Sequence, residues 1–154
     1  NGGQADRYHH EEAGVNSRLD EIQAAVLRAR LTRLREWTRR RRALAAAYRG
    51  ALPSGLALDE REAGHVYHLF PIRSATRDAL KSYLQQEGAD TLIHYPLPLP
   101  RQQAFAGFGS AETPVADRAA REILSLPLHP RLAERDVGRI SGAVAAFQKG
   151  RAFA

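Results

Sequence analysis

The sequence predicts an α+β fold: a long N-terminal helix followed by a small sandwich of short strands and helices. From Leu19 to about Arg49 there is neither Gly nor Pro, and Ala, Leu and Arg, all good helix formers, dominate the run. After it, β-rich segments alternate with amphipathic ones, and Gly or Pro stands at the breaks. The order is helix, strand, helix, strand, helix, strand, helix, with the helices on one side of a short sheet. A chain of 154 residues suffices for one domain with a real core and is too short for two ordinary ones. It divides into residues 1–16, a loop entering the helix; 17–50, the long helix; and 51–154, the small α+β domain.

Taken in order, Asn16 or Ser17 can cap the first helix through a side-chain oxygen. Asp20 and Glu21 put negative charge in its first turn, where the dipole favours it. Leu19, Ile22, Val26, Ala29, Leu34, Trp37, Leu44 and Tyr48 recur at three- and four-residue steps. About 30 residues at 1.5 Å each make a helix roughly 45 Å long, too long for one small domain to cover, so part of it must lean on another domain or subunit. Gly50 and Pro53 end it. Residues 66–73 read as a strand, with Val66, His68, Phe70 and Ile72 on one face; Pro71 makes it an edge or bulged strand. Residues 76–87 form an amphipathic helix closed by Gly88. A short strand at 91–95 runs into the proline-spaced loop Pro96–Pro100. Thr113-Pro114 opens a helix to Ile123, residues 124–128 return as a strand, and 134–149 form the last helix, with Val137, Ile140, Val144 and Phe147 inward.

Hydrophobic residues make up 44% and charged residues 26%, ordinary for a globular chain rather than a disordered one. No apolar run approaches the roughly 18–20 residues of a membrane span, and Cys is absent, which excludes disulfides and thiolate metal sites. The start, Asn1-Gly2-Gly3-Gln4, has neither Met nor the plan of a signal peptide; it reads as a cut, and the expected location is cytoplasmic. The net charge of +6 is nearly all arginine. A nucleic-acid module would add aromatic or glycine-rich readout elements, and none accompany the arginines.

Single residues point weakly to chemistry. His65 and His68 are three apart and would face opposite sides of a strand, poor geometry for a metal, and no metal site is expected. The run Arg39–Arg42 points all round its helix, which suits a solvated stretch with its stems over apolar neighbours. Asn16 and Arg18 stand where a loop meets a helix N-terminus, and an amide donor beside a guanidinium there suits a phosphate or carboxylate. Equally, Asn16 can serve only as a cap while Arg18 pairs with Glu11, Glu12 or Glu21.

The run Gly14-Val15-Asn16-Ser17-Arg18-Leu19-Asp20-Glu21-Ile22-Gln23-Ala24-Ala25 resembles a signature of the DegT/DnrJ/StrS family of pyridoxal-phosphate (PLP) sugar-nucleotide aminotransferases, in which it opens a long interdomain helix. Further segments match in the same order: Tyr8-His9-His10, His65-x-Tyr67-His68-Leu69-Phe70, Ile93-His94-Tyr95-Pro96-x-Pro98 followed by Gln102, and Ile123-Leu124-Ser125-Leu126-Pro127-Leu128-His129-Pro130. The likeness runs from residue 1 to about residue 149. Members often carry His where this chain has Pro100, a departure that bears on sugar specificity.

The resemblance implies the C-terminal domain of a fold-type I PLP enzyme, joined by its interdomain helix to a large domain. It implies amino transfer from an amino acid, with glutamate the expected donor, to a keto-sugar nucleotide in a homodimer. Asn16 then corresponds to the asparagine that reaches the PLP phosphate of the neighbouring subunit, and Arg18 to its companion. His94 and Tyr95, with Tyr67 and His68, correspond to residues near the sugar nucleotide. The lysine that holds PLP lies before this stretch in the family. Here the only lysines are Lys81 and Lys149, neither in such a context, so no catalytic residue is assigned and the chain alone is expected to be inactive. The alternatives are a PLP sugar dehydratase of the same family and a non-catalytic interaction domain using the arginine-rich helix.

Overall fold

The computed structural model describes residues 8–12, 14, 20–60, 62–109 and 112–152. They fall into two compact units, residues 1–32 with 94–121 and residues 33–93 with 122–154.

The first unit contains α1 (Glu21–Leu31). Its N-cap is Asp20, whose Oδ1 accepts from the Gln23 backbone N–H at 2.7 Å while Oδ2 accepts from the Gln23 side chain at 3.0 Å, a variant of the capping box. The expected caps, Asn16 and Ser17, lie outside the described residues, and Asp20 fills the cap position of α1 in their place. The expected single helix is interrupted after Leu31. Thr32 and Arg33 keep right-handed dihedrals (φ −56°, ψ −28° and φ −100°, ψ −2°), but the Thr32 hydroxyl donates to the Ala29 carbonyl at 3.0 Å. Such back-bonding competes with the helical ladder and disturbs it locally. The unit boundary falls at this interruption, not at the ends of the predicted helix.

The second unit holds the main hydrophobic core. α2 (Leu34–Ala51) buries Leu44, Ala45 and Tyr48. α3 (Arg77–Gln86) buries Leu80 and Leu84. α5 (Glu134–Ala152) buries Val137, Ile140 and Val144, as the periodicity predicts. These faces meet Phe70 and Ile72 of β1 (Phe70–Arg73) and Leu124 and Leu126 of β2 (Ile123–Leu126) in one cluster. Each such side chain contributes about 1.5–3 kcal/mol on full burial. Tyr48 stacks on Phe70 at 5.0 Å between ring centroids, and its hydroxyl donates to the Pro127 carbonyl at 3.0 Å. Desolvation pushes the Tyr48 pKa up, which keeps the phenol protonated and able to donate.

β1 and β2 pair antiparallel, Phe70 opposite Leu126 and Pro71 opposite Ser125. Ser125 exchanges both of its backbone bonds with Leu92 on its other side (2.7 and 3.2 Å), so Pro71 faces a partner that asks nothing of its missing N–H. The end of the ribbon is closed by Arg73, whose guanidinium donates to Glu122 Oε2 at 3.0 and 2.6 Å, while the Ser74 N–H reaches the Glu122 carbonyl.

The sheet is smaller than predicted. β1 begins at Phe70 rather than Val66 because Tyr67 adopts a left-handed φ of 51°, which turns the chain out of the pleat. Of the predicted strand at 91–95, one bridge remains, Leu92 to Ser125. α3 ends as the sequence indicates: Gly88 has a φ of 72° and Ala89 N–H reaches the Leu84 carbonyl, the longer of the two bonds of a Schellman motif. Arg139 of α5 donates to the Glu87 carbonyl at the same end.

α1 buries none of its residues in this chain. Ile22 is 79% exposed, and Val26, Leu27 and Leu31 are at least half exposed; Leu19, expected beside them, lies outside the described residues. Apolar area of this kind drives association. Sedimentation velocity on the 154-residue chain should therefore show mass rising with concentration, and Ile22→Glu with Val26→Glu should reduce it. A monomer across a hundredfold concentration range in the unaltered chain would overturn this expectation.

Candidate functional site

Within the first unit, Tyr8 and His94 meet the ring of Tyr95. Pro96, Pro98 and Pro100 withhold backbone donors, so the chain leaving His94–Tyr95, whose peptide bond is cis, runs irregularly until the short 3-10 turns Leu99–Arg101 and Gln103–Phe108. Tyr95 is 65% exposed and its ring meets His94 edge-on at 5.8 Å. Tyr8, from the other end of the unit's sequence, meets the same ring edge-on at 6.0 Å. The result is an open aromatic corner with an imidazole beside it, suited to a ligand with an apolar ring face and polar edges.

The corner is anchored by two adjacent residues. Gln102 is buried, donates from Nε2 to the Tyr8 carbonyl at 2.8 Å and accepts at Oε1 from the His10 N–H at 3.1 Å. The Ala104 N–H adds a bond to the His10 carbonyl at 3.0 Å. Arg101 grips Asp117 of α4 (Pro114–Glu122) with both prongs, Nε to Oδ1 at 3.1 Å and NH2 to Oδ2 at 2.9 Å, and the Thr113 hydroxyl joins Oδ2. Pattern reading identified the Gln102 motif without a role for it and missed the Arg101–Asp117 brace. An Arg and an Asp sixteen residues apart across an irregular loop leave no periodic signal.

Tyr67 and His68 stand in the second unit, so neither unit by itself presents all the residues expected near a sugar nucleotide. The Tyr67 ring meets His65 edge-on at 4.4 Å and lies under the Arg49 guanidinium at 5.8 Å. His65 Nδ1 accepts from the Tyr67 N–H at 3.2 Å, and its Nε2 faces Glu60 at 3.4 Å. A cavity of about 310 Å3 opens here, lined in part by Arg42, Arg49, Glu60, His65 and Tyr67. His68 is exposed and gives its carbonyl to Arg41.

The run Arg39–Arg42 is more than the solvated stretch its sequence suggests. Arg41 NH1 donates to the carbonyls of Tyr67, His68 and Leu128 at 3.0–3.1 Å. Arg42 donates to His65 and Arg40 to Leu132, with Glu134 beside Arg40. Desolvation lowers the Arg41 pKa, though an arginine starts high enough to stay charged.

Asn16 and Arg18 lie outside the described residues. Lys81 is half-buried on α3 and Lys149 exposed on α5. Among the described residues no group of three or more His, Asp or Glu is placed to hold a metal, and no helix is long and apolar enough to cross a membrane.

The brace carries a pH signature. The hydrogen bond from Arg101, reinforced by its charge, holds the Asp117 carboxyl below its usual value. A carboxyl lowered in the folded state adds stability above its unfolded value of about 3.9, and that contribution is lost as pH falls through the folded value. In Arg101→Gln the Asp117 titration followed by carboxyl NMR should move upward toward the unfolded value; an unmoved midpoint would show that the pair does not form.

The sequence profile of the DegT/DnrJ/EryC1/StrS aminotransferase family matches residues 1–145. A dTDP-3-amino-3,4,6-trideoxy-alpha-D-glucose transaminase of Streptomyces venezuelae is 45% identical over 150 residues, covering 94% of this chain and 40% of that protein. The crystal structure of S. venezuelae DesV is 43% identical with a TM-score of 0.76, covering 96% of this chain and 41% of its own. Bacillus subtilis NtdA, solved with bound cofactor PMP, is 28% identical with a TM-score of 0.72 over 88% of this chain and 34% of its own. The chain spans about two-fifths of the length of the curated relative. Since the match takes in nearly all of its residues, the chain belongs to the DegT/DnrJ/EryC1/StrS aminotransferase family.

Proposed function

We propose that this chain is the C-terminal part of a PLP-dependent enzyme that moves an amino group from an amino acid, glutamate being the expected donor, to a keto-sugar nucleotide in the cytoplasm. The observation that carries this reading is the family match over residues 1–145, joined to a relative named as a dTDP-amino-sugar transaminase. The open corner of Tyr8, His94 and Tyr95 supports it, since a sugar nucleotide has ring faces to pack and polar edges to bond. In this reading the fold is the small domain of a fold-type I enzyme, and Tyr67 and His68 also serve the sugar side.

When bound, PLP supplies the electron sink that amino transfer requires. The part of this chain is to bind and orient. Asn16 donates to the cofactor phosphate of the neighbouring subunit in a homodimer, and Arg18 adds a guanidinium beside it. The cap of α1 is Asp20. Lys81 and Lys149 stand on helices of the second unit, and neither belongs to a lysine segment like the family's. The covalent anchor therefore comes from sequence outside these 154 residues.

Given PLP, glutamate and a keto-sugar nucleotide, the 154-residue chain should form no amino sugar. Turnover accompanied by PLP trapped by borohydride on Lys81 or Lys149 would overturn the reading. In a protein that restores the lysine-bearing part, Asn16→Ala should remove one hydrogen bond to a charged acceptor, worth about 1.5–3 kcal/mol. That corresponds to roughly a ten- to hundredfold loss of PLP affinity, with the fold retained. Equal PLP dissociation constants for the two proteins would refute the phosphate role.

A further inference from the structure

We infer that Gln102 is a positioning residue, holding Tyr8 against Tyr95 so that the two rings form one wall of the sugar-nucleotide site; the substrate half of this inference rests on the function proposed above. The geometry is specific to an amide. The Tyr8 carbonyl needs a donor and the His10 N–H needs an acceptor, and both meet the same buried side chain at 2.8 and 3.1 Å. Only one orientation of the amide satisfies both. The segment it grips lies 92 to 94 residues away in sequence. The backbone bond from Ala104 to His10 and the Tyr8–Tyr95 ring contact also tie this segment down.

The position of Gln102 makes the clamp directional. Its own backbone is fixed on both sides, its N–H to the Leu99 carbonyl and its carbonyl to the Phe105 N–H. The preceding residue, Arg101, is braced to α4 through Asp117. The side chain therefore extends from an anchored point to the Tyr8 segment, and Gln102 positions Tyr8 from that point. A ligand at Tyr95 meets Tyr8 already in place, without the ordering cost that a loose segment would add on binding.

Two variants test this. Gln102→Met keeps the length of the side chain and removes both bonds. In the 154-residue chain it should cut the exchange protection of the His10 amide at least tenfold, leave the core amide of Val144 unchanged, and lose the Tyr8–Tyr95 nuclear Overhauser contacts. Gln102→Glu sets a carboxylate oxygen against the Tyr8 carbonyl near neutral pH, but once protonated it again offers a donor and an acceptor. Its His10 protection should therefore be low near neutrality and recover in acid, a profile that mere packing would not produce. Unchanged His10 protection in Gln102→Met, or no acid recovery in Gln102→Glu, would overturn the clamp. In a protein that restores the lysine-bearing part, Gln102→Met should raise KM for the keto-sugar nucleotide about tenfold and leave PLP affinity as it was. Lost protection with an unchanged KM would overturn the substrate role. Absence of turnover in the unaltered restored enzyme would overturn the aminotransferase reading and the substrate role together, while the exchange result would still decide the clamp.

Discussion

Among the described residues, β1 and β2 have four residues each, so most of the connecting backbone there lies outside a ladder, and buried main-chain groups must still be bonded. Side chains meet that demand in the second unit. Arg41 gathers the carbonyls of Tyr67, His68 and Leu128 on one nitrogen, tying the loop before β1 to the segment after β2. Arg42, Arg49 and Arg139 do the same for His65, Leu58 and Glu87, and the Tyr48 hydroxyl holds Pro127. A guanidinium suits this task because its five donors lie in a rigid fork and can serve diverging acceptors. The first unit meets the same demand with the Gln102 amide, which bonds one carbonyl and one N–H together.

This way of closing loops explains what the sequence disclosed and what it withheld. Helix faces were legible, because Leu80 and Leu84, and Val137, Ile140 and Val144, repeat at helical spacing and are buried as that spacing demands. Gly88 was legible as a stop because it alone allows the left-handed turn at the end of α3 without strain. Strand length was not. Val66 to Phe70 alternate as a strand would, yet the Tyr67 and His68 carbonyls are taken by Arg41 and the chain turns at Tyr67. Propensity reports what a segment prefers in isolation, and a bond to a distant arginine overrides it. The long helix misled for a similar reason, since nothing in the periodicity marks the hydroxyl of Thr32 as a competitor for the Ala29 carbonyl.

The candidate site was legible by resemblance and much less so by physics. Tyr95 and His94 could be named from a motif, and their exposure and ring geometry agree with a ligand-facing role. What brings Tyr8 to them is a contact across more than ninety residues, beyond the reach of any local pattern. Asn16 and Arg18 stand on the family signature alone; the cap position of α1 is taken by Asp20.

The same economy of bonding bears on the charge of the chain. A net charge of +6, carried almost wholly by arginine, has the footprint expected of a nucleic-acid binder. Yet phosphate binding requires guanidiniums that are free to leave the protein surface for the ligand. Arg41, Arg42, Arg49 and Arg139 donate to backbone carbonyls of their own unit, and to bind phosphate they would leave those carbonyls unsatisfied. A carbonyl satisfies a guanidinium without neutralising it, whereas a carboxylate does both, as in Arg73 with Glu122 and Arg101 with Asp117. A fold that closes its loops with arginine on main-chain oxygen therefore accumulates positive charge as a consequence of its architecture. In this chain Arg41, Arg42, Arg49 and Arg139 are charges whose place is set by how the loops are fastened.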